Sequence, residues 1–340
     1  MKAYAKSLLR PAWTSLRTRI EEISTQKAVE VVSSIKPASP PDLEQRIALL
    51  ESQLSTLRRG SFAPDPFTYQ TRHDAPFMQF SNCHAEDVYH PRFTALCKLM
   101  GRRPQVHRKL WEWVFVLHKL IEADMLKPGM RGLGFGVGTE PLPAVYASMG
   151  VQVTATDAPD DLERRDAWHN TQQHSGSVEQ LLHPHIVPDD VMRSLVTHRS
   201  CDMNAIPDDL TGYDFNWSSC CFEHLGNIQK GLDFVANAVE KTLKVGGIAV
   251  HTTEFNLSSD DQTVSEGDTV LFRKRDMLEL VDRLRQRGHQ VEDFVVGPAA
   301  HALDFHVDVP PYSHDIHLKL LLAGYVSTSA GIVVRRGSPH

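Results

Sequence analysis

The stretch Gly132-Leu133-Gly134-Phe135-Gly136-Val137-Gly138-Thr139-Glu140-Pro141 carries the reading of this chain. Residues 131–135 read as a strand, and the alternate glycines let the backbone turn sharply and approach a ligand with no Cβ in the way. Pro141 then opens a helix expected over 141–149. The dinucleotide fingerprint GxGxxG fails from both starts, because its last position is Val137 counted from Gly132 and Thr139 counted from Gly134. That argues against a nicotinamide-dependent oxidoreductase. A phosphate-binding P-loop fails as well, since no Lys-Ser/Thr follows. The next strand, 151–156, ends on Asp157, 19 residues past Gly138. An acid there can accept both hydroxyls of a ribose; the plainer alternative is a helix cap.

Outward from this turn, strands are expected at 195–200, 213–218, 247–253, 289–296 and 331–335, with helices at 227–243 and 274–287 between them. Strands alternating with helices predict an α/β fold with a doubly wound, mostly parallel sheet. Two connections, 158–196 and 297–330, exceed ordinary loops and read as insertions that cover a site. The first, with Arg164, Arg165, Trp168, His169, His174, His183 and His185, could form a flap over an acceptor.

Together these residues resemble class I S-adenosylmethionine-dependent methyltransferases, over about residues 129–335. Gly134, Gly136 and Gly138 match the family's glycine motif around the methionine part of the cofactor, and Asp157 matches its ribose-binding acid. Asp202 and Met203, after the third strand, match the position where an acid and an apolar neighbour hold the adenine. Tyr213-Asp214-Phe215-Asn216-Trp217-Ser218-Ser219 matches the fourth strand, and Leu243-Lys244-Val245-Gly246-Gly247 looks like the LKPGG turn before the fifth, with Val245 replacing the proline. The resemblance implies a Rossmann-like sheet of seven strands and S-adenosylmethionine as cofactor. It implies cofactor contacts from Gly132, Gly134, Gly136, Gly138, Asp157, Asp202, Met203 and Ser218. Gly132 stands where the motif usually opens on an acid, so a contact to the cofactor's amino group is either missing or supplied elsewhere.

Methyl transfer requires aligned donor and acceptor and, for a hydroxyl acceptor, a base. Ligands of such a sheet lie at the carboxyl ends of its strands. The candidates are therefore Glu223 and His224 after the fourth strand, and His251, Glu254 and Asn256 at the fifth. Histidine suits the task because its pKa lies near neutrality. In the second insertion Asp304, His306 and Asp308 alternate and would share one face of an extended segment. Asp304 and His306 join the catalytic candidates. Glu223 and His224 also faintly resemble part of the metal set of small-RNA 3′-terminal 2′-O-methyltransferases. Cys220 occupies that family's earlier Glu position, and no second His stands in register, so a site without metal is expected. Trp111 and Trp113 read as core on a helical face, and Cys220-Cys221 as small packing residues.

The rest of the chain bounds these readings. In 340 residues, 41% hydrophobic and 23% charged, Lys+Arg 36 against Asp+Glu 42 leaves a net charge of −6. A core is affordable, and nothing global draws the chain to a polyanion, which disfavours nucleic acid as a partner. No apolar run is long enough to span a bilayer. Five cysteines without CxxC spacing fit a reducing, cytoplasmic setting. Residues 1–60 form a separate region: an acid-free basic arm to Arg19 that could touch a membrane surface, a proline linker, and a short amphipathic, coiled-coil-like helix. Its seam, Leu43, Ile47, Leu50, Leu54 and Leu57, offers self-association through residues 42–58 or packing on its own domain. Residues 61–128 read as a helical lead-in and substrate cap, and 129–340 as the cofactor-binding domain. The expected function is O-methylation of a hydroxylated small molecule or carbohydrate. The alternatives are a metal-assisted RNA 2′-O-methyltransferase and a non-catalytic adenosine-binding scaffold.

Overall fold

The structure is a computed structural model that describes residues 43–52, 74–159, 174–313 and 315–338. The chain divides into two units, residues 1–62 and 63–340. In the first, residues 43–52 are helical, with Leu43, Ile47 and Leu50 exposed. Leu54, Leu57, the basic arm and the linker lie outside the described residues, as do Arg164, Arg165, Trp168 and His169 of the first insertion. No described helix is long and apolar enough to cross a membrane.

The second unit is built on one sheet. Its strands are β1 (Arg131–Phe135), β2 (Gln152–Asp157), β3 (Val196–Ser200), β4 (Tyr213–Ser219), β5 (Leu243–Asn256), β6 (Gln290–Val291), β7 (Lys319–Leu322) and β8 (Tyr325–Arg335). Their order is β3-β2-β1-β4-β5-β8-β6, with β7 also on β8. Strands β1 to β5 pair in parallel, and β8 runs antiparallel to β5. This is the doubly wound, Rossmann-like arrangement. Its order reverses between β1 and β4, which opens a crevice at their carboxyl ends.

Eight strands form instead of the expected seven, because the outer edge of β8 is shared. Gln290–Val291 covers only Arg335 and Val334. Further along, Asn82 bridges to Ala330, with Gly331 N–H donating to Ser81 O (2.7 Å) and Cys83 N–H to Ser329 O (2.9 Å). The lead-in chain thus takes the edge that residues 292–296 were expected to fill. Beyond it β7 folds back on β8 through Ala323 and Gly324, both at positive φ, the conformation a two-residue hairpin with right-handed twist demands.

Helices cover both faces. They are α1 (Ala85–Tyr89), α2 (Pro91–Leu99), α3 (Arg108–Glu122), α4 (Leu142–Ser148), α5 (Asp189–Leu195), α6 (Ile228–Asn237) and α7 (Lys274–Gln286). Trp111 and Phe115 of α3 join Tyr146, Phe215, Trp217 and Val250 in one core; Trp113 packs at its margin. Phe234 of α6 and Leu280 of α7 pack with Leu133, Phe135 and Ile332 in the other. The helix expected over 227–243 stops at Asn237 and continues as a π turn, Ala238–Thr242. There Asn216 Nδ2 donates to Ala238 O and to Thr242 Oγ1, both at 2.9 Å, an insertion into the helical ladder that local periodicity does not reveal.

The β1–β4 register sets Gly132 beside Phe215 and Gly134 beside Trp217. A Cβ on Gly134 would lie 2.5 Å from both the Trp217 ring and Val137. Gly134→Ala is therefore expected to cost about 1–3 kcal/mol of stability through overpacking. Urea unfolding checks this; an unchanged midpoint would show that the Trp217 ring moves aside freely.

Candidate functional site

At the carboxyl end of β1 the chain turns through Gly136 (φ 58°) and Gly138 (φ 50°), a left-handed conformation that disfavours side chains. The turn is tied to β2: Val137 N–H donates to Thr156 O (3.1 Å), and Gly138 N–H to Asp157 Oδ2 (3.0 Å). A Cβ on Gly136 would lie 2.7 Å from Cys221 Sγ and 3.9 Å from Met203 Sδ. The structure thus brings Gly136, Gly138, Asp157 and Met203 together. At Gly132 and Gly134 the Phe215 and Trp217 rings fill the space that a side chain would take.

Asp157 is 8% exposed, and its carboxylate has uneven spare capacity. Oδ2 also accepts from Ser175 N–H (3.0 Å) and Ser175 Oγ (3.3 Å), whereas Oδ1 accepts from Ala158 N–H (2.8 Å). An oxygen with two lone pairs and one such donor can take a ribose hydroxyl. Asp202, half-buried, accepts from Asn204 N–H at 2.8 Å and so shapes its own turn. Ser218 points to the α6 face, 2.8 Å from His251 Nδ1. His251 is wholly buried between Phe222 and Phe234, and burial pushes its pKa down to about 3, making it a neutral core residue. Asn256 fixes the loop after β5, donating to Gln262 O at 3.0 Å.

After β4 the backbone passes through Cys220 at φ 55°, rare for a residue with a side chain. Around it lies a buried ionic cluster. Arg108 pairs with Glu254 and with Glu112 (3.4 Å), and donates to Ser329 Oγ (3.2 Å) and Cys220 Sγ (3.5 Å). Lys109 reaches Glu112 at 3.4 Å. Burial opposes ionisation of Glu112, but Lys109 and Arg108 outweigh it and hold its pKa below the ordinary value. Ser327 Oγ donates to Glu254 at 2.8 Å.

Glu223 is fully buried in a one-turn helix, Phe222–His224. Its Oε2 accepts from Thr253 Oγ1 (3.0 Å), while Oε1 has no hydrogen-bond partner and lies 3.8 Å from His224 Nε2. Burial pushes its pKa up. His224 Nδ1 sits 2.8 Å from Asp268 O, which can only accept, and 3.1 Å from Thr269 Oγ1, so Nδ1 donates to the carbonyl. Cys220, Glu223 and Glu254 bring one ligand atom each within 4.8 Å of one another, a donor set that a divalent ion could use. Arg108 already supplies positive charge to two of the three.

The second insertion behaves otherwise than an extended segment. Asp304 lies in a short helix, Ala302–Phe305, and its oxygens accept from the N–H groups of Ala85 (3.0 Å), Ala300 (3.2 Å) and His301 (3.1 Å). Burial opposes its charge, yet His84 and these N–H groups hold its pKa at about 2. Asp304 is thereby a clasp between the insertion and α1. His306 lies at the end of that turn, half-buried. Asp308 instead pairs with His317, Oδ2 to Nδ1 at 2.7 Å. Sequence reasoning passed over Arg108 and Glu112 at the site, although their i, i+4 spacing on an otherwise apolar helix face was the available signal.

No family model matches the chain, and no curated protein does. Among solved structures it is similar to phosphoethanolamine N-methyltransferase 2 of Haemonchus contortus, in complex with S-adenosyl-L-methionine, at 15% identity and a TM-score of 0.39, covering 65% of this chain and 52% of that one. It is similar to the methyltransferase domain of bacterial CtHen1-C at 14% identity and a TM-score of 0.40, covering 66% and 95%. For magnesium protoporphyrin IX methyltransferase of Synechocystis PCC 6803 with bound SAM the values are 12% and 0.37, covering 65% and 76%. The chain spans about half the length of the first of these.

Proposed function

We propose that this chain is a class I S-adenosylmethionine-dependent methyltransferase acting on a hydroxyl of a small-molecule or glycan acceptor. One observation carries the reading: a left-handed glycine turn at the end of β1, tied through Gly138 N–H to Asp157 at the end of β2, beside the crevice where the strand order reverses. The turn's backbone can lie against the amino-acid part of the ligand, Asp157 Oδ1 can take a ribose hydroxyl, and Met203 offers an apolar contact. When bound, S-adenosylmethionine supplies a methyl group on a sulfonium, already activated for in-line displacement. His224, with its proton on Nδ1, offers Nε2 to the acceptor's hydroxyl proton, and Glu223 beside it stabilises the resulting imidazolium. Glu254 holds Arg108 at the rim. Asp304 takes no proton in this reading, since His84 and backbone N–H groups hold its pKa at about 2, too low for a base; His306 is the second histidine to test.

The wild-type protein is expected to bind S-adenosylmethionine and S-adenosylhomocysteine in calorimetry and not NAD. Failure to bind either adenosyl ligand would end the reading. Asp157→Ala should weaken S-adenosylhomocysteine binding by about 1.5–3 kcal/mol, the range for a hydrogen bond to a charged group. Equal affinity would remove Asp157 from the site. A single-turnover assay with labelled methyl donor against cell-extract fractions separates an enzyme from a scaffold that binds adenosine ligands without turnover.

A further inference from the structure

Glu140 stands two residues beyond Gly138 and is 5% exposed, with a carboxylate that the protein leaves without a directly paired cation among the described residues. Oε1 accepts from Trp217 Nε1 at 2.6 Å, a neutral donor. The nearby cation that acts on it, Lys109, is held by Glu112 at 3.4 Å, and Glu112 itself adds negative charge. Burial accordingly pushes its pKa up to about 7. Ser219 stands beside the same carboxylate, and its hydroxyl, on a residue 8% exposed, has no partner of hydrogen-bond geometry. Trp217 connects these features: its ring fills the space beside Gly134, and its N–H fixes the carboxylate.

A buried carboxylate and a buried unpartnered hydroxyl at the outlet of a ligand-binding turn are costly unless something else completes them. A group with several N–H donors and a positive charge would satisfy both. A donor nucleoside with an amino-acid tail carries two cations. Its ammonium has three N–H donors, whereas its sulfonium has none and cannot use the Ser219 oxygen. We infer that Glu140, with Ser219, receives the α-ammonium of the nucleoside's amino-acid tail. It supplies the contact for which Gly132 has no side chain. The inference rests on the proposed cofactor and deepens it: the site selects nucleosides with a free α-amino group over those without one.

The test is titration calorimetry on the full chain with two probes. S-adenosylhomocysteine has the ammonium but no sulfonium charge, and 5′-methylthioadenosine has neither. Glu140→Gln keeps the size of the side chain and an acceptor for Trp217, yet should lower S-adenosylhomocysteine affinity about tenfold to a hundredfold, the equivalent of one charge-assisted hydrogen bond. Affinity for 5′-methylthioadenosine should stay unchanged. Ser219→Ala, a smaller change that guards against misfolding of the first variant, should narrow the preference between the two probes several-fold. Equal losses for both probes would make Glu140 a structural support and overturn the inference, as would an unchanged preference in both variants. If the wild type bound 5′-methylthioadenosine as tightly as S-adenosylhomocysteine, only this inference would fall. If it bound neither, the proposed function would fall with it.

Discussion

Arg108→Met is expected to destabilise the protein by about 3–5 kcal/mol, the usual cost of removing one partner from a buried ion pair. Arg108 is 9% exposed, and its guanidinium is shared by Glu112 and Glu254. Methionine replaces much of its volume but leaves two buried carboxylates with Lys109 alone. In the wild type the pKa of Glu112 lies below the ordinary 4.5. Its stabilising contribution is therefore present above pH 4.5 and is lost as the pH falls through the lowered value. The variant lacks that contribution, so the gap between the two proteins should narrow on acidification. Urea unfolding at pH 7 and at a pH well below 4.5 measures both effects. Adding Glu254→Gln should restore part of the loss by removing the stranded charge. A midpoint unchanged at pH 7 would mean that water reaches the carboxylates and the cluster is not a buried pair.

The second large effect concerns turnover. His224→Ala should lower methyl transfer by about 10²- to 10⁴-fold, the typical contribution of a general base. Affinity for S-adenosylhomocysteine should remain that of the wild type, because the glycine turn and Asp157 do not depend on this ring. The side chain is 23% exposed and outside both apolar cores, so thermal stability should also hold. Loss of donor affinity together with rate would assign His224 a structural role, whereas full activity would clear it of catalysis. The same assay with a chelator tests the rim. An unaffected rate is expected, since Arg108 already serves Glu254 and Cys220. Inhibition reversed by a divalent ion would bring Cys220, Glu223 and Glu254 into the chemistry as ligands.

Much of the scaffold can be read from local pattern. Alternate glycines after a strand, an acid closing the next strand and the beat of strand and helix identify the sheet, its switch point and the turn beside it. These features are short in range: the residues that make a turn or a helix face are neighbours along the chain. Asp157 and Gly136 and Gly138 were accordingly placed together by spacing alone. The same spacing gave Gly132 and Gly134 to the ligand, and tertiary structure adds a second demand on them, room for two rings. Their partners, Phe215 and Trp217, lie about eighty residues away, and only strand register reveals that the rings need the room.

The rim shows the same division. Glu223 and His224 were chosen because they follow the fourth strand, and the structure places them in a one-turn helix there. Asp304 looked equally available, but a short helix and three backbone N–H groups hold its carboxylate as a structural clasp. Arg108 reaches Glu254 and Cys220 across more than a hundred residues, and Lys109 shares Glu112 with it. A charge on a helix face reads as solvated until the fold shows what covers it. Periodicity determined which segments become helices and strands. The long-range packing of those segments decided which buried polar groups are spent on structure and which, like Glu223 Oε1 and Ser219 Oγ, remain without a hydrogen-bond partner, because desolvation is set by neighbours in space and not in sequence.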